Sequence, residues 1–236
     1  MLENYKDYKE YIDGILLIVS SIILIFSSMF FNRMFKKRTF TPHLQPKNIA
    51  FAIWPFIYAS LIVSGVSWMN TNQEQITSSI FTLLSCMLCC LWLFKNDVPF
   101  LSMFTIIIAC IMAACAVLTF TKTKKNELLN ILSALSANLL FSWLAVASIL
   151  ATIFYVSKNI KNYRDELKFA VPFLFFHLTV FVTSILRGSG YAGLSIPIPV
   201  LWAALCSKNT ESVIVFGSLF AAEVSFFLGH YLKCTL

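Results

Sequence analysis

PKNIAFAIWPFIYASLIVSGVSWM, residues 46–69, is an apolar stretch of membrane length that opens on a spaced set of rings, with Phe51, Trp54 and Tyr58 following Pro46. On a helix, residues three and four apart share one face, so the three rings form a single stripe. Pro46 sits just before the first turn, where a missing N–H costs little. A stripe of large flat side chains inside a bilayer can receive a large flat apolar ligand, oriented by the polar tips of Trp54 and Tyr58. The same spacing also serves rings that pack on neighbouring helices or form an aromatic belt at the membrane surface. Spacing alone names no ligand.

Outward from this stretch the chain stays apolar. Of its 236 residues 58% are hydrophobic and only 12% are charged, and the mean hydropathy is +0.79. That balance lies far outside soluble globular domains and marks a multi-pass integral membrane protein. A spanning helix needs about 20 mostly apolar residues, and runs of that kind follow one another at 12–31, 48–69, 77–94, 99–120, 128–156, 168–186, 194–206 and 211–232. Each satisfies its backbone hydrogen bonds internally, which predicts an all-α, polytopic transmembrane bundle. The seventh run is short, and Pro197 and Pro199 make its start extended or kinked. The breaks, such as NTNQEQ, KTKKNE and SKNIKNYRDELK, are too short for a soluble domain, and no similarity between halves of the kind inverted-repeat transporters show is evident.

Formal net charge is +7, with Lys and Arg gathered in a few loops, which suits lipid headgroups better than nucleic acid. Arg33, Lys36, Lys37, Arg38 and Lys47 place the loop before the second span on the cytoplasmic side, and the N-terminus outside. Lys158, Lys161, Arg164 and Lys168 then fall inside, in agreement, whereas Lys122, Lys124 and Lys125 fall outside, against the rule. Glu3, Asp7, Glu10 and Asp13 at the N-terminus are the wrong charge for a signal peptide, so the first run is expected to remain as a helix. Cys86, Cys89, Cys90, Cys110, Cys115 and Cys206 lie in apolar runs and read as small packing residues, with no second CxxC or His/carboxylate cluster to complete a metal site.

An ionisable group deep in a bilayer is a functional candidate by default. Glu223 stands mid-way along VIVFGSLFAAEVSFFLGHY, with His230 two turns further on the same face, and His177 lies within VPFLFFHLTVFVTSIL. For Glu223 the functional reading is a proton-linked group or polar anchor, and the structural one a protonated carboxyl bonded to a neighbouring helix. His177 can ligate a haem iron, donate a hydrogen bond to a ligand, or bond to Ser or Thr on an adjacent helix. Pro42 and His43, ahead of the second span, occupy the place of a ligand lid or simply of a solvated loop. No G-x-S-x-G, H-E-x-x-H, paired-Asp or phosphate-binding glycine motif occurs, so no catalytic residue is assigned.

Pro46, Phe51, Trp54 and Tyr58 resemble the start of the second helix in the translocator protein / tryptophan-rich sensory protein (TspO/MBR) family, in a divergent, longer branch. Gln45 stands where better-known members carry the first of a Pro pair. FSWLAVASILA is similar to the family's fifth helix, supplying Trp143, Ala147 and Leu150, with Ala151 where Asn is usual and Leu139 where Pro is common. Trp92 falls where the family often has a Trp, behind Cys89 rather than Asn. Trp202 is similar to a Trp-Ala of the longer members. The resemblance covers about residues 12–156, and it implies a five-helix core at 1–156 with a C-terminal membrane extension of the same domain at 157–236. It further implies a pocket toward the loop between the first two helices, lined by Pro46, Phe51, Trp54, Tyr58, Trp92, Trp143 and Ala147. A tetrapyrrole (haem, protoporphyrin) or a sterol would be its ligand, often in a homodimer. The reading favoured is a membrane binding or sensor protein for such a ligand. The alternative is a proton-linked small-molecule transporter using Glu223 and His177, and an enzyme acting on lipid or porphyrin ranks last.

Overall fold

Uninterrupted apolar runs bounded by charged or Pro-containing breaks produce the helices, because in lipid only a helix satisfies every backbone group within its own segment. The computed structural model describes residues 2–31, 42–69, 75–94, 98–120, 127–157, 160 and 162–235. Among the described residues eight helices follow in chain order: α1 Leu2–Phe31, α2 Ile53–Met69, α3 Ile76–Phe94, α4 Pro99–Thr119, α5 Glu127–Tyr155, α6 Tyr163–Leu186, α7 Pro197–Leu205 and α8 Thr210–Thr235. Short 3-10 segments, Asn48–Ala52 and Gly190–Ser195, lead into α2 and α7. Six of these stretches are long and apolar enough to cross a membrane, and Tyr11–Ser27 of α1 forms a shorter apolar piece. The basic cluster at 33–38 on which the orientation rests lies outside the described residues.

Two elements differ from the hydropathy reading. α1 begins at Leu2, well before the apolar run, so the charged N-terminal stretch is helical too. The seventh run is a nine-residue helix behind a six-residue 3-10 segment. With Pro at its first helical positions, α7 cannot extend its hydrogen bonding backwards, and the tighter 3-10 form takes over. At about 2.0 Å per 3-10 residue and about 1.5 Å per α-residue the two pieces reach about 26 Å, near the ~30 Å apolar core of a bilayer. Their ends meet opposite ends of the bundle. Gly188 and Ser189 lie beside Val117 and Phe120 where α4 finishes, while the Cys206 carbonyl accepts the Lys47 N–H at 2.7 Å just ahead of α2.

The first five helices close a ring. α1 packs on α2 and α3, α3 on α4, α4 on α5, and α5 on α2. α6, the 3-10 segment and α7 lie against the other side of α5, and α8 packs on α6 and α7. α5 is thus covered all round, with 89% of its apolar stretch buried against 28% in α8. Serine hydroxyls stitch it to its neighbours: Ser64 Oγ donates to the Leu132 carbonyl at 2.7 Å, Ser67 and Ser133 meet at 3.0 Å, and Trp68 Nε1–H donates to the Ser133 carbonyl at 3.0 Å. Cys86, Cys89, Cys90 and Cys110 are buried free thiols in the α1–α3–α4 wall of the ring, and Ser27 Oγ donates to Cys90 Sγ at 2.8 Å. Asp13, from α1, accepts the Gln75 N–H at 2.7 Å and so caps α3 from outside its own chain segment.

α1 and α2 cross at glycines. A Cβ on Gly65 would stand 2.7 Å from the Gly14 carbonyl oxygen, closer than real contacts allow. Close backbone approach of this kind supplies the dispersion energy that holds helices together in lipid. Gly65→Val is expected to push α1 from α2 and destabilise the fold by about 1–3 kcal/mol, the usual cost of overpacking. Thermal unfolding in detergent reads it, and an unchanged Tm would show that the crossing is loose.

Candidate functional site

The 3-10 segment Asn48–Ala52 runs directly into α2, so Phe51, Trp54 and Tyr58 form a continuous stripe across the join. The stripe and the segment leading into it are held from three sides. Trp202 Nε1–H, from α7, donates to the Ala50 carbonyl at 3.0 Å, Pro46 pairs in antiparallel fashion with Ser207, and Ser21 Oγ of α1 donates to the Tyr58 carbonyl at 3.1 Å. Trp54 and Tyr58 stack with ring centres 5.9 Å apart and planes 25° from parallel. Phe51 meets Trp143 edge to face at 6.0 Å and 90°, which joins the stripe to α5. Both arrangements are the offset and T-shaped geometries that ring quadrupoles favour.

The predicted residues divide by burial. Phe51, Trp54 and Tyr58 are half-buried against the core, with ring surface left open. Trp143, which meets Phe51, and Ala147 one turn further along α5 are buried, as is Trp92 on α3. Trp92 directs its indole N–H to Ser102 Oγ on α4 at 2.8 Å, an α3–α4 tie. Pro46 is buried in the loop. A small recess lined by Leu118, Phe120, Ser184, Arg187 and Ser189 lies at the opposite end of the bundle, where α4 and α6 finish, and takes no part in this stripe.

His177 and Glu223 come together on the far side of α5. His177 Nδ1 lies 2.7 Å from Glu223 Oε1, and both side chains are buried to 1% or less exposure. The approach is close but its angle falls short of an aligned hydrogen bond, and it is an ion pair only when the ring is protonated. His177 Nε2 is 2.7 Å from Ser142 Oγ, and Phe141 stacks on the imidazole at 5.0 Å. Each of Ser142, His177 and Glu223 lies near the middle of its helix, α5, α6 and α8 respectively, so the trio sits at mid-membrane depth. If the hydroxyl donates to Nε2, the ring proton resides on Nδ1 and faces the carboxylate. A protonated ring instead donates to Ser142 through Nε2 and turns its other N–H toward Glu223. The order Ser–His–Glu is that of a nucleophilic triad, yet Ser142 is completely buried within a helix whose N–H groups are committed to that helix, leaving no oxyanion donors or approach for a substrate. What the trio can do is hold a proton and tie three helices together. His230, two turns beyond Glu223, stacks on Phe226 at 6.3 Å.

Sequence reading missed Ser142, one serine among many in α5, and it missed Glu166. The latter fell within a break read as polar, but Asn162 accepts the Asp165 N–H and caps α6 there. Glu166 is thereby turned inward, fully buried. Its two oxygens accept the His43 and Leu44 N–H groups at 2.8 and 2.9 Å. An N-x-x-D capping pattern at 162–165 was the available signal.

A buried pair broken on one side leaves an uncompensated polar group, whereas replacing both partners with apolar residues of similar volume is far less costly. Glu223→Leu alone is therefore expected to cost about 3–5 kcal/mol, and the His177→Leu/Glu223→Leu double substitution to regain much of that loss. Unfolding of the three variants in detergent checks it, and additive losses would mean that the two groups do not interact.

The chain matches the family model described as TSPO-like protein over residues 14–230, a range that runs from α1 through α8. Neither the curated proteins nor the solved structures gave a match. An eight-helix membrane bundle whose first five helices close a ring, with an aromatic stripe at the start of the second, thus belongs to the TSPO-like family.

Proposed function

We propose that this protein binds a flat apolar ligand, a tetrapyrrole or a sterol, on the half-buried face of Phe51, Trp54 and Tyr58. The observation that carries the reading is the stacked Trp54–Tyr58 pair, held rigid at 5.9 Å with Phe51 braced edge-on against Trp143 one turn away. Ligand sites of this kind are mostly apolar with few polar groups, and here the indole N–H and phenol O–H supply them. Trp143, Ala147 and Trp92 act behind the contact surface, fixing where Phe51 and the helix walls stand. The polarity of the membrane also enters: the loop that precedes α2, which carries Lys47, would face the cytoplasm together with Lys168 and Lys208.

Titrating protoporphyrin IX into protein in detergent or nanodiscs is expected to quench tryptophan fluorescence with saturation. Trp54→Ala and Tyr58→Ala should each weaken binding at least about tenfold, a loss of about 1.4 kcal/mol. Trp92→Phe, which removes the N–H donated to Ser102, should lower stability more than affinity. Absence of saturable quenching by protoporphyrin and of competition by cholesterol would end this reading.

A second reading, proton-linked transport of a small molecule, is favoured by the 2.7 Å contact between His177 and Glu223. A titratable pair at mid-membrane depth, joining α6 to α8 and reaching α5 through Ser142, is the arrangement a proton-driven rearrangement needs. In liposomes carrying a pH gradient, solute uptake should be lost in Glu223→Gln. Uptake insensitive to that substitution would remove Glu223 from any transport cycle.

A further inference from the structure

We propose that Glu166 is a positioning residue for the ligand site: through it, α6, α7 and α8 lock the loop 42–47 in place and control how fast ligand enters and leaves. This rests on the reading of the Phe51–Trp54–Tyr58 face as the ligand site. The loop leads straight into the 3-10 segment that carries Phe51, so its position sets the upper end of the stripe.

Among the described residues the lock draws on α6, on the segment after α7, where Asn209 Nδ2 donates to the His43 carbonyl at 3.2 Å, and on α8. Glu166 is fully buried and offers one oxygen to each of two consecutive N–H groups, those of His43 at 2.8 Å and Leu44 at 2.9 Å. A carboxylate accepting two backbone donors makes the stronger, charge-assisted kind of bond. It sits in the first turn of α6, where the helix dipole favours a negative charge. From α8, Ser212 Oγ donates to the His43 carbonyl at 2.6 Å. From the segment after α7, the Cys206 carbonyl accepts the Lys47 N–H at 2.7 Å. Leu44 between these ties is itself buried to 0% exposure. Three separate elements outside the five-helix ring thus converge on six residues of loop. Solvation of a loop needs none of this, and a bundle without α6–α8 would leave the His43 and Leu44 N–H groups and the His43 carbonyl without these partners.

Glutamine keeps the shape of Glu166 but turns one acceptor into a donor that faces a backbone N–H, so Glu166→Gln breaks the clamp with little change in volume. Two measurements on the full chain in nanodiscs test the inference: amide hydrogen exchange of a peptide covering 42–50, which needs no ligand, and stopped-flow quenching by protoporphyrin IX. In Glu166→Gln, exchange over 42–50 is expected to rise at least tenfold while that of the α2 interior stays fixed. The association and dissociation rates are each expected to rise at least fivefold, with their ratio within threefold of the original. A merely structural carboxylate would instead lower thermal stability without accelerating association. Ser212→Ala, which removes the tie from α8, should move both readouts in the same direction by a smaller amount, and it carries the test if Glu166→Gln does not fold. Unchanged exchange in both variants overturns the clamp. Faster exchange with unchanged quenching rates overturns the control of ligand passage while leaving the ligand reading intact. Faster exchange with no quenching even in the wild-type protein overturns the ligand reading itself, and the gate with it.

Discussion

Lipid tails are as apolar as leucine, so no solvent gradient drives helices together inside a bilayer, and the enclosure of α5 has to rest on close approach and on hydrogen bonds. Its sequence is built for both. Ser133, Ala134, Ser136, Ala137, Ala145, Ala147, Ser148 and Ala151 are all buried and at about 100° per residue fall on one half of the helix, the half that meets α2 through Ser133 and α4 through Ser148, which lets those partners approach closely. Two of the serines then find partners across these contacts, Ser133 the Ser67 hydroxyl on α2 and Ser148 the Ile106 carbonyl on α4, 3.3 Å from its Oγ. On the outer side, Asn138 donates to the Ala192 carbonyl and to Ser195 Oγ, each at 2.8 Å. The small residues thus serve the closing of the ring, and the polar Asn138 and Ser142 serve the outer layer.

That double use brings the two candidate sites into mechanical contact. Ser142 reaches His177 on the outer side, and the next residue, Trp143, receives the edge of Phe51 on the ring side. Successive helical residues point about 100° apart, so one turn of α5 serves both without sharing a side chain. A rigid helix cannot shift at Ser142 and stay still at Trp143. The His177 contact and the Phe51 contact therefore share one turn of the α5 backbone.

Hydropathy made the fold legible because burial in lipid and burial in protein make the same demand on a run of residues. The limits of most helices and the family resemblance through Pro46, Phe51, Trp54, Tyr58 and Trp143 could be read before any coordinates. The aromatic stripe was legible because its partners are local, three and four residues apart. His177 and Glu223 stood out for the opposite reason, as ionisable groups in apolar surroundings, but their mutual contact joins residues 46 positions apart, and no periodicity encodes that. Glu166 and Asp13 were hidden by their neighbours. Each belongs to a charged cluster that reads as solvated, and only the packing of a distant segment, the 42–47 loop or the start of α3, turns it inward. The seventh crossing was ambiguous since a 3-10 segment and a short α-helix together leave a weaker hydropathy signal than one continuous span.

Three buried carboxylates, Asp13, Glu166 and Glu223, show how differently the same group can be accommodated. Asp13 and Glu166 lie toward the ends of their spans and are met by backbone N–H groups. Backbone donors cannot lose a proton in water's pH range, so those two contacts are fixed and serve to pin segments together. Glu223 lies at mid-span and is met by the imidazole of His177 at 2.7 Å. Satisfying it with a backbone donor was not open to the fold, because every helical N–H at that depth is committed to its own helix. A carboxylate placed there therefore had to recruit a side chain, and the one recruited carries a second nitrogen that reaches Ser142. The same constraint separates the two carboxylates met by the backbone from the one met by a side chain.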